Sequence, residues 1–94
     1  MKRIACITAA LSLFAGPVLA ADPGFHIEAY CKQSNTNTTA IRNCIDEEKS
    51  VRDDVRAMKI PDAIFKRCLD RAKKDPAQAN YYSFQTCVEK AQGK

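Results

Sequence analysis

The side chains of this chain that could carry chemistry begin with four widely spaced cysteines, Cys31, Cys44, Cys68 and Cys87. The closest two have twelve residues between them, whereas zinc ligands usually come in pairs roughly two to four residues apart. A redox dithiol needs Cys-x-x-Cys, and the sequence has none. An even set at wide spacing reads instead as two structural disulfides. His26 is the single histidine, so any nucleophile–base pair must use it. Ser34, Ser50 and Ser83 sit in no motif that activates a hydroxyl. His26 therefore reads as a surface side chain near a chain end. The expectation is a protein that is not an enzyme, with no catalytic residue, no cofactor and no metal site.

Carboxylates cluster at Asp46-Glu47-Glu48 and Asp53-Asp54. Neighbouring positions on a helix point in different directions, which does not suit a hydrolase carboxylate pair, and the Gly-turned loop of a calcium site is missing. A solvated face is expected, laced by Glu48→Arg52 and Lys49→Asp53 pairs four residues apart. Glu48 stands out because it interrupts the apolar stripe between Cys44/Ile45 and Val51/Val55. It either leans out to pair with Arg52 or makes a buried polar contact. Lys66, Arg67, Arg71, Lys73 and Lys74 follow within nine residues, diluted by Asp70. Such a basic face can engage anionic lipid, glycan or an acidic protein. The candidate binding surface is Lys66, Arg67, Arg71 and Lys74 together with Tyr82, an aromatic off the apolar stripe. Asn37-Thr38-Thr39 matches the N-glycosylation triplet, which matters only in a eukaryotic secretory pathway.

The elements that must position these groups are confined to 94 residues with a net charge of +4 and five cysteines. Met1-Lys2-Arg3 is a basic start, Ile4 to Ala15 an apolar run of twelve, and Val18-Leu19-Ala20 a small-residue cleavage site. That is the layout of a secretory signal peptide over residues 1–20, too short to span a bilayer, with Cys6 inside it. Cleavage before Ala21 leaves 74 residues with 13 basic and 11 acidic groups, net +2. Such a chain is too small for a Rossmann or barrel enzyme, and too weakly charged to read as a nucleic-acid binder. Hydrophobic burial alone rarely stabilises this length, so crosslinks are needed. A periplasmic or secreted location follows, with no transmembrane segment in the mature chain.

Four helices are predicted, over about 24–33, 38–58, 61–72 and 77–92. The second carries Ile41, Cys44, Ile45, Val51, Val55 and Met58 at helical steps, and the third Ile64, Phe65, Cys68, Leu69 and Ala72. The last carries Tyr81, Phe84, Val88 and Ala91. Asp75-Pro76 reads as an N-cap followed by proline at the first helical position of that last helix. No segment alternates apolar and polar residues as a half-buried strand does, so the fold class is all-α. The polar run Ser34-Asn35-Thr36-Asn37-Thr38-Thr39 folds the chain back between Cys31 and Cys44. Asp75-Pro76 does the same between Cys68 and Cys87. The preferred pairing is thus Cys31–Cys44 and Cys68–Cys87, two stapled hairpins worth about 3 kcal/mol each in the chain-entropy estimate. The nested pairing Cys31–Cys87 with Cys44–Cys68 is the open alternative.

The halves echo each other. Ile27 to Cys31 aligns with Ile64 to Cys68, and Ala40 to Asp46 with Ser83 to Glu89, an internal repeat over 25–58 and 59–92. Charge differs between them: residues 21–58 hold five basic and seven acidic groups, residues 59–94 eight and four.

The motifs Tyr30-Cys31, Cys44 to Glu48, Ile60 to Cys68 and Tyr82 to Glu89 resemble those of small exported four-cysteine proteins of alphaproteobacteria, a functionally uncharacterised group. The resemblance spans nearly all of residues 21–94 and implies the helical fold and export, and no activity. Members of that group often carry Gly-rich stretches between paired cysteines, where this chain has 34–39 and 73–80. That departure argues against carrying over a ligand at those loops. The functional expectation is a small helical protein that binds a protein or envelope component. The alternatives are an inhibitor or immunity-type protein against an envelope-degrading enzyme, and a periplasmic stress chaperone. A basic balance and two disulfides weigh against the chaperone.

Overall fold

The computed structural model describes residues 22–94, so the expected signal peptide over 1–20 lies outside the described residues. Four helices follow in order: α1 (Ile27–Ser34), α2 (Thr38–Ala57), α3 (Asp62–Lys74) and α4 (Tyr81–Ala91), with a single 3-10 turn at Pro76–Gln78 before α4. The fold is all-α. Its disulfides are Cys31–Cys44, which ties α1 to α2, and Cys68–Cys87, which ties α3 to α4. The Cα atoms stand 5.7 and 5.8 Å apart, within the ordinary range for a disulfide. The nested alternative is thereby excluded. α1 packs on α2, α2 on α4 and α4 on α3, so α4 joins the two hairpins.

Local capping explains the breaks. Asn37 starts α2 by accepting the Ala40 N–H at 3.0 Å. At the end of α1, Asn35 Nδ2 donates to the Cys31 carbonyl, one of the last four acceptors of the helix, and Ser34 Oγ adds a bond to the Tyr30 carbonyl. The expected start of the last helix needs correction. Asp75 does accept the Ala77 N–H at 3.0 Å, but the turn it opens closes after Gln78. α4 begins four residues later than expected, at Tyr81, where Asn80 accepts the Ser83 N–H at 2.8 Å. Cys68 and Cys87 are 19 positions apart against 13 for the first pair, and the extra residues accommodate this 3-10 turn.

The core gathers Val55, Ile60, Cys68, Tyr81, Phe84, Cys87 and Val88. An edge-to-face aromatic chain runs through it: Phe25 lies 5.2 Å from Tyr81 and 5.9 Å from Phe84, and Phe65 lies 5.3 Å from Phe84. Such pairs add about 0.5–1.5 kcal/mol beyond their burial. Phe25 belongs to no helix. It sits on a strap over 22–26 that is fastened at Asp22. That carboxylate accepts the Arg56 Nε–H at 2.7 Å, the Tyr81 hydroxyl at 2.5 Å and the Gly24 N–H at 2.8 Å. Gly24 adopts φ +75, a left-handed conformation that side chains resist, to close this turn.

Candidate functional site

The basic cluster of α3 resolves into two faces. Arg67, Arg71 and Lys74 recur at steps of four and three and share one side. Lys66 lies beside them and is ion-paired with Asp62 at 3.2 Å, the lysine largely in water and the aspartate about half covered. Arg71 faces α4 across a groove, where it meets Tyr82, Thr86 and Lys90, residues four apart along that helix. The adjoining part of the same groove is lined by Arg67, Arg71, Lys90 and Ala91 over the Cys68–Cys87 staple. Its two lobes measure about 450 and 170 Å³. No carboxylate lines either lobe, and among the described residues Arg67, Arg71 and Lys90 form no ion pair. Tyr82 stands at the end of the groove and is 63% exposed.

Of the expected binding residues, the groove thus collects Arg67, Arg71 and Tyr82. Lys74 lies on the same face of α3 beyond its lining, and Lys66 is engaged by Asp62. Lys90 and Thr86 were legible from their spacing to Tyr82 but stood apart from the α3 cluster in sequence. Thr86 donates to the Tyr82 carbonyl at 3.0 Å and braces that turn.

Glu48 is buried, 6% exposed, and does not pair with Arg52. Its two oxygens accept the backbone N–H groups of Tyr81 at 2.7 Å and Tyr82 at 3.2 Å. It is a capping carboxylate lent by α2 to the first turn of α4, where the helix dipole favours negative charge. Arg52 turns to Asp53 at 3.3 Å instead, and Lys49 forms no ion pair among the described residues. The expected i,i+4 pairs on α2 therefore do not form: Glu48 is held by two N–H donors in a dry site, and Asp53 is taken by the Arg52 that this leaves without its carboxylate.

A larger cleft of about 550 Å³ opens between the 22–26 strap and α2, and His26, Lys49, Arg52 and Arg56 line it. Of its three cationic side chains, Lys49, Arg52 and Arg56, two are already paired. Arg56 is bound by Asp22 and Arg52 by Asp53, while Glu28 adds a further carboxylate to the wall. Burial acts to raise the Asp22 carboxyl, yet hydrogen bonds from Tyr81, Gly24 and Arg56 outweigh it and hold the pKa below the usual value. The same bond lifts the Arg56 guanidinium. Burial first, and then Asp22, push the Tyr81 hydroxyl up to about 12. This cleft is a fastened joint, and the α3–α4 groove is the candidate site.

Among the described residues no group of His, Cys, Asp or Glu is arranged to hold a metal ion, and no helix is long and apolar enough to cross a membrane. Comparison with protein-family models, curated proteins and solved structures finds no match to the chain.

Proposed function

We propose that this chain is a non-enzymatic exported protein, cleaved before Ala21, that binds a protein or envelope component through the α3–α4 groove. One observation carries the reading: Arg67, Arg71 and Lys90 converge on one groove with the exposed Tyr82 ring and no carboxylate. Arginine and tyrosine are the residue types that dominate binding energy at interfaces, because each combines a large contact area with directed hydrogen bonds. Export is supported by the signal layout of residues 1–20 and by two disulfides, which persist in oxidising compartments. Rigidity supports a binding role as well, since both groove helices are locked together at the Cys68–Cys87 staple and lose little freedom on association.

Affinity capture tests this. Reversing Lys66, Arg67 and Arg71 to glutamate should abolish a specific co-purification while the circular dichroism spectrum stays unchanged. An identical partner list after that reversal would remove the basic face from the function.

A further inference from the structure

We propose that the α3–α4 groove reads the phosphates of an anionic phospholipid surface; this rests on the binding role above and names its partner. The groove is concave and cationic on both walls, with Arg67 and Arg71 on α3 and Lys90 on α4. Planar guanidinium forks match phosphate oxygens two at a time, and a hollow of about 450 Å³ admits a compact headgroup. Tyr82 supplies the second feature. Its ring is 63% exposed at the end of the groove, and an amphipathic tyrosine partitions to the headgroup level of a bilayer.

The distribution of negative charge points the same way. Asp46, Glu47, Asp53 and Asp54 lie at i, i+1, i+7 and i+8 on α2, all exposed, and none of them lines the groove. The four exposed acids of α2 stand apart from the groove, and Asp70 is the one exposed carboxylate among the basic residues of α3, so a negatively charged surface still orients the molecule with α3 and α4 inward. That acidic face could in principle seat a second copy on the groove. Between its carboxylates, however, it offers only the small side chains of Asn43, Ser50 and Ala57, so a single methyl group is the apolar contact for the Tyr82 ring. No described helix is long and apolar enough to cross the bilayer, so binding is peripheral.

Vesicle sedimentation with the full chain tests the proposal, using phosphatidylglycerol-containing vesicles against pure phosphatidylcholine. The wild type and the Arg67→Gln/Arg71→Gln variant share the apolar run at residues 4–15, so the difference between them reports the groove alone. Each basic residue at an anionic surface is worth roughly a fivefold change in partitioning, so the double variant should bind about 25-fold more weakly. Binding should also fall steeply between low and high salt, and Tyr82→Ala should weaken it further without altering that salt dependence. Equal partitioning of wild type and double variant would overturn the inference. So would tight binding of soluble glycerol phosphate, which would make the ligand a free metabolite. A salt-sensitive dimer by ultracentrifugation, without vesicle binding, would assign the groove to a second copy. Failure on vesicles, with a protein partner still lost on charge reversal, would remove the lipid and leave the binding role intact.

Discussion

Glu48 Oε1 accepts the Tyr81 N–H at 2.7 Å, a bond that joins the middle of α2 to the first residue of α4. Its second oxygen takes the Tyr82 N–H at 3.2 Å, so one buried carboxylate fixes the turn from which the exposed tyrosine projects. The two hairpins meet through this contact as well as through their apolar faces. Glu48 is therefore a positioning residue for the groove as well as a stabilising one.

Glu48→Ala leaves two N–H groups without their acceptor, one of them buried, and should cost about 3 kcal/mol. For a domain this small that lowers the melting temperature by more than about 10 °C. Glu48→Gln keeps one carbonyl acceptor and should cost about half as much. A melting temperature for Glu48→Ala within about 2 °C of wild type would show that water caps α4 equally well.

The legible part of this fold was the part written in local periodicity. The stripes placed Tyr81, Phe84 and Val88 in the core and left Tyr82 outside it, as observed. The polar run after Cys31 and the Asp75-Pro76 break turned the chain back, which made the adjacent cysteine pairing geometrically available. Three features were not legible, for different reasons. Asp75-Pro76 is a genuine cap, but a local signal does not reveal how far the turn it opens will run, and Asn80 holds the stronger cap. Glu48 was visible as an anomaly in an apolar stripe, yet its partner lies 33 positions away and is a backbone group that carries no sequence signature. Phe25 falls within the first predicted helix, over about 24–33, but the chain turns helical only at Ile27, and the packing of this ring on Tyr81 and Phe84 comes from a non-helical strap that has no period.

Removing that ring tests the strap. Phe25→Ala deletes the edge contacts to Tyr81 and Phe84 and should cost about 2 kcal/mol, with Phe25→Leu restoring much of it through burial alone. Denaturant midpoints measure both variants at constant m. An unchanged midpoint for Phe25→Ala would mean that residues 22–26 are dispensable to the core.

The fastening at Asp22 makes stability depend on pH at both ends of the scale. The native state holds the Asp22 carboxyl below its ordinary 3.8, so its contribution is present above that value and is lost as pH falls through the lowered one. Tyr81 titrates at about 12 in the native state against 10.0 ordinarily. Its contribution is full below pH 10 and is lost as pH rises from there toward 12. Denaturant midpoints measured from pH 2 to 12 should show a shallower acid limb for Asp22→Asn. Tyr81→Phe should show a shallower alkaline limb. Limbs parallel to wild type in both variants would detach this trio from the pH dependence.

The two disulfides should differ in how readily they open. Cys68 and Cys87 are 2% and 9% exposed within the core, whereas Cys44 is only half-buried beside a fully covered Cys31. Thiol–disulfide exchange needs access to a sulfur, so dilute reductant should open Cys31–Cys44 first. Alkylation followed by peptide mapping should find label at residues 31 and 44 while 68 and 87 stay joined. Losing the second staple outright, in Cys68→Ala/Cys87→Ala, should cost about 3 kcal/mol, because it frees the longer loop and the groove with it. Label arriving first at 68 and 87 would place the exposed edge of the fold at α3 and α4, and the groove would then be a loose seam. The same spectra read the N-terminus: material exported by cells should begin at Ala21, and a chain that retains residues 1–20 would contradict the export half of the proposed function.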